Sequence, residues 1–256
     1  MSEPKFGFVV QARMGSTRLP GKVLMDFHEG KSILLIILDL LGSHFSDVPI
    51  IVATTEKSLD DPIVELTTSS GYSVLRGDVD DVLSRFLAAS EKWSLTHLVR
   101  ICADNPLLNT HLIQELIDQG LSNPELDYIS HRFEDGRPII KSHLGLSAEW
   151  VKASALKKCH DMTKESWYYE HVTNFIYAHP EDFEISWLEL PSNLSNRQDI
   201  RFTCDSAEDF DLLQTVFNRF REMKSDKKGL DQLVGLVDRE SEMATRMRKQ
   251  IKLNEK

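Results

Sequence analysis

The stretch V-V-Q-A-R-M-G-S-T-R-L-P-G-K, residues 9–22, decides the fold of this chain of 256 residues. An apolar run, residues 6–10, ends in a loop with two glycines, two hydroxyl residues and three cations. Glycine lets a backbone approach a ligand closely, free N–H groups can face an anion, and cations balance its charge. The loop therefore suits a polyphosphate, with a basic surface turn after an edge strand as the alternative. The dinucleotide and P-loop motifs G-x-G-x-x-G and G-x-x-x-x-G-K-[ST] are both absent.

The composition favours one large α/β domain, or a domain with a small appendage. The net charge of −10 argues against a general nucleic-acid binder, whose affinity depends on neutralising phosphates. Cys102, Cys159 and Cys204 are too far apart to suggest a disulfide framework or a zinc site.

No export signal is visible, and the most apolar stretch, residues 33–41, is too short to cross a bilayer. We expect a soluble cytoplasmic protein with no membrane or nucleic-acid partner.

Short apolar runs alternate with longer amphipathic segments through the first half of the chain. Predicted strands cover residues 6–12, 49–54, 72–75 and 97–102, and predicted helices cover residues 33–41, 59–69, 79–93 and 110–120. Short buried strands separated by helices predict an α/β fold: a mostly parallel twisted sheet with helices on both faces.

The pattern loosens after residue 129, where Gly136, Pro138 and Gly145 indicate an excursion or lid over residues 131–147. Helices are predicted near residues 152–160, 166–179 and 207–223, and strands at residues 183–190 and 201–204. We predict a domain of residues 1–223 followed by a charged helical C-terminal tail, residues 224–256.

Charged residues placed directly after strands are the candidates for chemistry. Arg13, Arg18 and Lys22 supply cations for phosphates, and Ser16 with the N–H groups of residues 15–17 supplies further donors. Asp104 follows a predicted strand, on the side where open parallel sheets bind ligands. A capping carboxylate in an Asp-Asn-Pro turn explains Asp104 equally well.

Other candidates also have structural alternatives. Arg100 lies in an apolar strand, where a cation needs a partner, and both a nucleotide and a structural ion pair would serve. Asp205 precedes a helix start in which Ser206 is the expected N-cap, with Glu208 and Asp209 favourable to the helix dipole.

The segment A-R-x-G-S-T-R-L-P-G-K, residues 12–22, resembles the opening signature of the sugar cytidylyltransferases, which make CMP-sugars from CTP. It is closer to the 3-deoxy-manno-octulosonate type than to the acylneuraminate type. Over residues 6–220 the chain is most similar to the spore-coat polysaccharide biosynthesis protein F group. The resemblance implies a Rossmann-like nucleotide-diphospho-sugar transferase fold, CTP and a small sugar acceptor as partners, Mg²⁺ as cofactor, and a homodimer.

The resemblance also implies residue roles. A-D-N-P at residues 103–106 and C-D-S-A-E-D at residues 204–209 match the segments whose aspartates bind the metal, here Asp104 and Asp205. With Arg13 and Lys22 these are the expected catalytic residues. The expected nucleotide-binding residues are Ala12, Arg13, Gly15, Ser16, Arg18, Lys22, Arg85 and Arg100. For Arg85, a salt bridge with Asp78, Asp80 or Asp81 is an equal alternative. Glu170 and His171, within E-H-V-T, and Asp135, in the stretched D-G-L-D-V-E region, are the expected acceptor-binding residues. Residues 131–180 are the expected acceptor, lid and dimerisation region.

The prediction is a Mg²⁺-dependent transfer of CMP from CTP to a sugar acid or related surface-polysaccharide sugar, with release of pyrophosphate. One rival is a glycosyltransferase of similar fold, although no D-x-D follows an obvious strand. The other rival is a non-catalytic nucleotide-binding protein, against which the three loop cations and two aspartates argue.

Overall fold

A seven-stranded sheet forms the centre of the structure, a computed structural model that describes residues 4–223 and 229–254. The strands run in the order β5-β4-β1-β6-β8-β7-β9, and a small hairpin of β2 and β3 lies outside the sheet. The strands are β1 (Phe6–Gln11), β2 (Asp26–His28), β3 (Lys31–Ser32), β4 (Ile50–Thr55), β5 (Ser73–Gly77), β6 (His97–Cys102), β7 (Tyr128–Arg132), β8 (Glu149–Lys152) and β9 (Ile185–Glu189).

The mostly parallel sheet predicted from the sequence is confirmed. β5, β4, β1 and β6 are parallel neighbours, and β7 is parallel to β9. β8 runs antiparallel to both β6 and β7, and its register places Glu149 opposite Arg100. β8 and the hairpin were not predicted, because strands of two to four residues are too short to show a period. β7 was not predicted either, because the sequence pattern loosens after residue 129.

Helices cover both faces of the sheet, as the sequence predicts. They are α1 (Ile33–His44), α2 (Asp61–Ser69), α3 (Val82–Trp93), α4 (Thr110–Ser122), α5 (Ala153–Met162), α6 (Ser166–Glu170), α7 (Asn174–Ala178), α8 (Ala207–Glu222), α9 (Leu230–Arg239) and α10 (Ser241–Leu253). Successive residues of β1 supply the two cores: Val10 packs with α1, α4 and α8, whereas Val9 packs with α3 and α5. The single helix predicted at residues 166–179 is wrong, since residues 171–173 separate α6 from α7.

The strand predicted at residues 201–204 is also wrong. This segment is buried but joins no strand ladder; instead, the Phe202 N–H donates to the carbonyl of His143 (2.8 Å) and the Cys204 N–H to that of Asp104 (2.9 Å). Two isolated bonds to loops satisfy the backbone without forming a strand. The segment thus holds the start of α8 beside Asp104.

The C-terminal helices α9 and α10 pack against α8, and Leu233, Val237 and Met247 belong to the same core as β1. Residues 224–228, at the start of the predicted tail, and residues 255–256, at its end, lie outside the described residues. No helix within residues 4–223 and 229–254 is long and apolar enough to cross a membrane.

Candidate active site

A cleft of about 820 Å³ opens at the carboxyl ends of β1 and β6, where parallel sheets commonly bind ligands. The loop of residues 12–22 forms one wall, and the excursion between β7 and β8 with helices α6 and α7 forms the other. Of the residues expected to bind nucleotide or metal, the cleft is lined by Ala12, Arg13, Ser16, Arg18, Lys22, Arg85, Arg100, Asp104 and Asp205.

The buried carboxylate of Asp60 holds the loop in place. Asp60 accepts hydrogen bonds from the backbone N–H of Met14 (2.7 Å) and the backbone N–H of Thr55 (3.2 Å). The Thr54 and Thr55 hydroxyls also donate to it. One carboxylate therefore joins the loop after β1 to the end of β4.

The loop also depends on Gly21, which adopts a positive φ of 73° that side chains disfavour. A Cβ added at Gly15, by contrast, would meet no atom within 4 Å. The backbone at Gly15 is therefore open rather than packed.

Lys22 lies between two carboxylates. Its ammonium nitrogen is 3.0 Å from Asp104 Oδ2 and 3.5 Å from Asp205 Oδ1, and it also donates to the carbonyl of Cys204. Burial on its own would lower the pKa of Lys22, but Asp104 and Asp205 raise it above the usual value. Lys22 is thus a fixed positive charge at the centre of the cleft.

Asp205 is held by three cations. Its Oδ1 contacts Arg18 at 3.2 Å as well as Lys22, and its Oδ2 accepts from Arg201 at 2.9 Å. Arg201 is buried and also binds Asp209 through two hydrogen bonds of 2.6 and 2.8 Å. Ser206 is the N-cap of α8, as the sequence predicts, and forms a capping box with Asp209. The helix start and a buried ion pair therefore orient Asp205 together.

Two loop cations contact the opposite wall or the C-terminal helix. Arg13 Nη2 lies 3.3 Å from Glu170 Oε1 in α6, and Arg18 donates to the side chain of Asn254 just after α10. Both arginines are about half exposed, with side-chain exposures of 44% and 49%. Exposed pairs of this kind are weak, so a phosphate can displace them at little cost.

Two further arginines line the cleft, and they differ in whether a protein carboxylate pairs with them. Arg100 forms a buried ion pair with Glu149, and its Nε donates to Gln11 at 3.1 Å, so the structural pair that the sequence left open is present. Arg85 is buried, its Nε has no hydrogen-bond partner, and it forms no ion pair with any described residue. Burial and the neighbouring Arg13 lower the pKa of Arg85. An unsatisfied buried guanidinium facing a cleft is suited to an anionic ligand.

The opposite wall contains two of the three expected acceptor residues. Glu170 and His171 line the cleft, and the ring of His171 lies 3.9 Å from that of Trp167, between centroids. The structure does not bring Asp135 into the cleft, because its carboxylate bonds Gln198 (2.6 Å) and the backbone N–H of Arg137 (3.0 Å).

The roles of the buried ionisable residues behind the cleft were not predicted from the sequence. Glu149 accepts hydrogen bonds from the hydroxyls of Tyr128 and Thr173 as well as pairing with Arg100. Asp60 and Arg201 were also missed. Their partners lie in distant parts of the chain, so no short motif connects them. The local sequence shows only an ionisable residue within an apolar or turn segment.

The carboxylates of Asp104 and Asp205 can hold a metal ion only if a bound nucleotide supplies further oxygen ligands. Asp104 and Asp205 both face the position of the Lys22 ammonium. Residues 4–223 and 229–254 contain no group of three or more His, Cys, Asp and Glu side chains that could hold a metal. Two carboxylates completed by phosphate oxygens and water are the usual environment of Mg²⁺. The two aspartates therefore fit Mg²⁺ that arrives with a nucleotide.

Cations facing two carboxylates across the end of a mostly parallel sheet are the groups that nucleotidyl transfer needs. The chain belongs to the cytidylyltransferase family, whose model matches residues 8–242. The resemblance to the sugar cytidylyltransferases is thereby confirmed.

Individual relatives agree with this assignment. The chain is 39% identical over 231 residues to an uncharacterized protein of Methanocaldococcus jannaschii, covering 90% of this chain and 89% of that one. It is 29% identical over 246 residues to the spore coat polysaccharide biosynthesis protein SpsF of Bacillus subtilis, covering 93% and 96%. A solved cytidylyltransferase from Leptospira borgpetersenii superposes with a TM-score of 0.80 at 27% identity, covering 94% of this chain and 97% of that one.

Proposed function

We propose that this enzyme transfers CMP from CTP to a sugar acid or related surface-polysaccharide sugar and releases pyrophosphate. The observation that carries the proposal is the position of Lys22 between Asp104 and Asp205, with Arg18 also in contact with Asp205. Membership of the cytidylyltransferase family favours nucleotidyl transfer over the glycosyltransferase alternative. The name of the SpsF relative supports a role in polysaccharide synthesis.

In the proposed reaction, a hydroxyl oxygen of the acceptor attacks the α-phosphorus of CTP in line with the leaving group. The new O–P bond forms as the bond to the β-phosphate oxygen breaks, and the hydroxyl proton passes to water. Arg13, Arg18 and Lys22 hold the leaving pyrophosphate and balance its charge. Arg85 supplies a further buried cation, and Ser16 with the open backbone at Gly15 supplies hydrogen-bond donors.

Asp104 and Asp205 would hold Mg²⁺. The bound ion would lower the pKa of the attacking hydroxyl and neutralise charge on the α-phosphate. Arg201 keeps the Asp205 carboxylate in one orientation, since it binds Asp205 and Asp209 together. The cleft wall formed by Glu170 and His171 would receive the acceptor.

Three broader features belong to the same proposal. Residues 131–180 would form the acceptor, lid and dimerisation region within a nucleotidyltransferase domain of residues 1–223. The enzyme would act as a homodimer in the cytoplasm. Trp167 in α6, with 57% of its surface exposed, is available to such an interface or to a sugar ring.

The experiment measures the melting temperature with CTP, UTP, ATP, GTP and UDP- and GDP-sugars, each with and without Mg²⁺. It is followed by a measurement of pyrophosphate release with a panel of acceptor sugars. A ligand that binds the native state raises its melting temperature by mass action. The proposal requires a shift with CTP that Mg²⁺ increases, and pyrophosphate released only when an acceptor is present. A shift only with UDP- or GDP-sugars, or CTP binding without turnover of any acceptor, would contradict it.

A further inference from the structure

A second cavity of about 320 Å³ lies beside the cleft and shares Lys141 and Ser142 with it. It is formed by the excursion after β7, the segment before Phe202, and α10. The residues around it are Arg137, Lys141, Ser142, His143, Arg197, Gln198, Ile200 and Ile251. They include three permanent cations and no carboxylate, in a chain whose net charge is −10.

Two of these cations form no ion pair within residues 4–223 and 229–254. The guanidinium of Arg137 lies 5.2 Å from the ring centroid of Phe133, and its Nε is buried without a hydrogen-bond partner. The Lys141 ammonium lies 4.8 Å from the ring centroid of Tyr177. Neither residue forms an ion pair with the described residues. Arg197, by contrast, is neutralised by Asp199 at 2.7 Å and Asp238 at 2.8 Å.

The carboxylate of Asp135, two residues before Arg137, bonds to Gln198 (2.6 Å) and to the backbone N–H of Arg137 (3.0 Å). Hydrogen bonds from the Arg137 backbone N–H and from Gln198 lower the pKa of Asp135, and the charge of Arg137 adds to this effect. The carboxylate does not pair with the Arg137 guanidinium. A buried guanidinium donor without an acceptor is costly, and a phosphate or carboxylate oxygen would satisfy it.

We propose that this cavity binds an oxyanionic group, a phosphate or carboxylate, carried by the acceptor away from its attacking hydroxyl. This inference rests on the proposed function, because the acceptor would reach the cavity from the cleft past Lys141 and Ser142. Arg137 and Lys141 bind the anion, and Ile200 and Ile251 form the apolar wall behind it. Of two acceptors with the same attacking hydroxyl, the enzyme then favours the one that also carries a phosphate or carboxylate away from that hydroxyl.

The first test uses inorganic phosphate as the probe and the melting temperature of the full chain as the readout. The double variant Arg137→Gln/Lys141→Gln removes the cavity cations, Lys22→Ala removes the central loop cation, and Lys164→Gln is an exposed charge control. We expect the phosphate-induced shift to survive in Lys22→Ala and Lys164→Gln and to fall by at least half in the double variant. A shift kept by the double variant and lost in Lys22→Ala, or no shift in the parent, would overturn the proposal. Melting without phosphate checks that each variant folds.

The second test separates an acceptor-borne anion from a free one. With an accepted sugar, the double variant should raise the KM for that acceptor at least tenfold and leave the KM for CTP unchanged. An unchanged acceptor KM together with a lost phosphate shift would assign the cavity to a free anion and overturn the acceptor part of the proposal. If no acceptor is ever turned over, the proposed function fails, while the phosphate titration still decides whether the cavity binds an oxyanion.

Discussion

The carboxylate of Asp60 accepts a hydrogen bond from the backbone N–H of Met14 at 2.7 Å, so a residue between β4 and α2 fixes the conformation of the phosphate loop. The same carboxylate binds the backbone N–H of Thr55 at the end of β4. Met14 directly follows the loop cation Arg13. The position of Arg13 therefore depends on Asp60, a buried acid 46 residues beyond Met14 in the chain.

Asp60→Asn should weaken CTP binding about tenfold and destabilise the fold by about 1–3 kcal/mol, because an amide group would face the N–H donors that the carboxylate now accepts. Calorimetric titration with CTP and urea denaturation measure the two effects. The control is Asp61→Asn, which removes an exposed ion pair of 2.6 Å with Arg76 and should cost less than about 1 kcal/mol with no change in CTP affinity. Equal loss of CTP affinity in both variants would remove Asp60 from the positioning of the loop.

Asp205→Asn should lower kcat by about 100-fold or more, the scale seen when a group that stabilises transition-state charge is removed. The fold should survive, because Arg201 keeps its two hydrogen bonds to Asp209. Pyrophosphate release and thermal melting give the two readouts. Asp199→Asn, which removes a carboxylate paired with Arg197, should leave kcat unchanged. Near-normal turnover in Asp205→Asn would exclude Asp205 from the mechanism.

Glu170→Gln should tighten CTP binding about two- to fivefold at low salt. In the parent, Arg13 must break its ion pair with Glu170 before it can bind a phosphate, and in the variant this pair is absent. The gain should shrink at high salt, since exposed charges are screened. Titration without acceptor isolates this step, and Glu165→Gln, an exposed neighbouring acid, is the charge-matched control. Weaker CTP binding in Glu170→Gln would mean that Glu170 helps to hold the nucleotide instead.

His97 should make part of the stability depend on pH. Burial lowers the pKa of His97 from 6.5 to about 4, so between these values the unfolded chain binds a proton that the folded chain does not. This contribution is complete above pH 6.5 and is lost as the pH falls towards 4, by up to about 3 kcal/mol.

The measurement is the free energy of unfolding in urea at several pH values for the parent and for His97→Gln. The difference between the two should shrink on acidification. The variant His111→Gln, which changes an exposed histidine, should follow the parent at every pH. Parallel curves for the parent and His97→Gln would show that His97 is not the group responsible.

The loop cations could be predicted because they lie close together in sequence, directly after a strand with a strong apolar pattern. The roles of Asp104 and Asp205 were implied by the resemblance of their segments to the family, and the structure brings all five side chains to one cleft. Ser206 as the N-cap of α8 is also confirmed, since a capping box depends only on residues three positions apart.

The groups behind the cleft could not be predicted, because their partners are remote in sequence. Glu149 meets Arg100 only through the antiparallel strand β8, and a strand of four residues gives no detectable pattern. The predicted strand at residues 201–204 failed for the related reason that apolar burial is common to strands and to buried loops. Asp135 was placed by a motif whose spacing is stretched in this chain, and its side chain points to Gln198 instead.

The reversed direction of β8 places part of the acceptor wall in a single continuous segment. Because β8 begins at the edge where β6 ends, the excursion of residues 133–148 contributes to the wall that α6 and α7 complete, and it returns to the sheet at the Arg100–Glu149 pair. The loop cations and metal-facing aspartates lie on other connections. Exchanging residues 133–148 for the equivalent segment of a relative would therefore change part of the acceptor wall, and the exchange has to keep the carbonyl at position 143 that accepts from the Phe202 N–H beside Asp104.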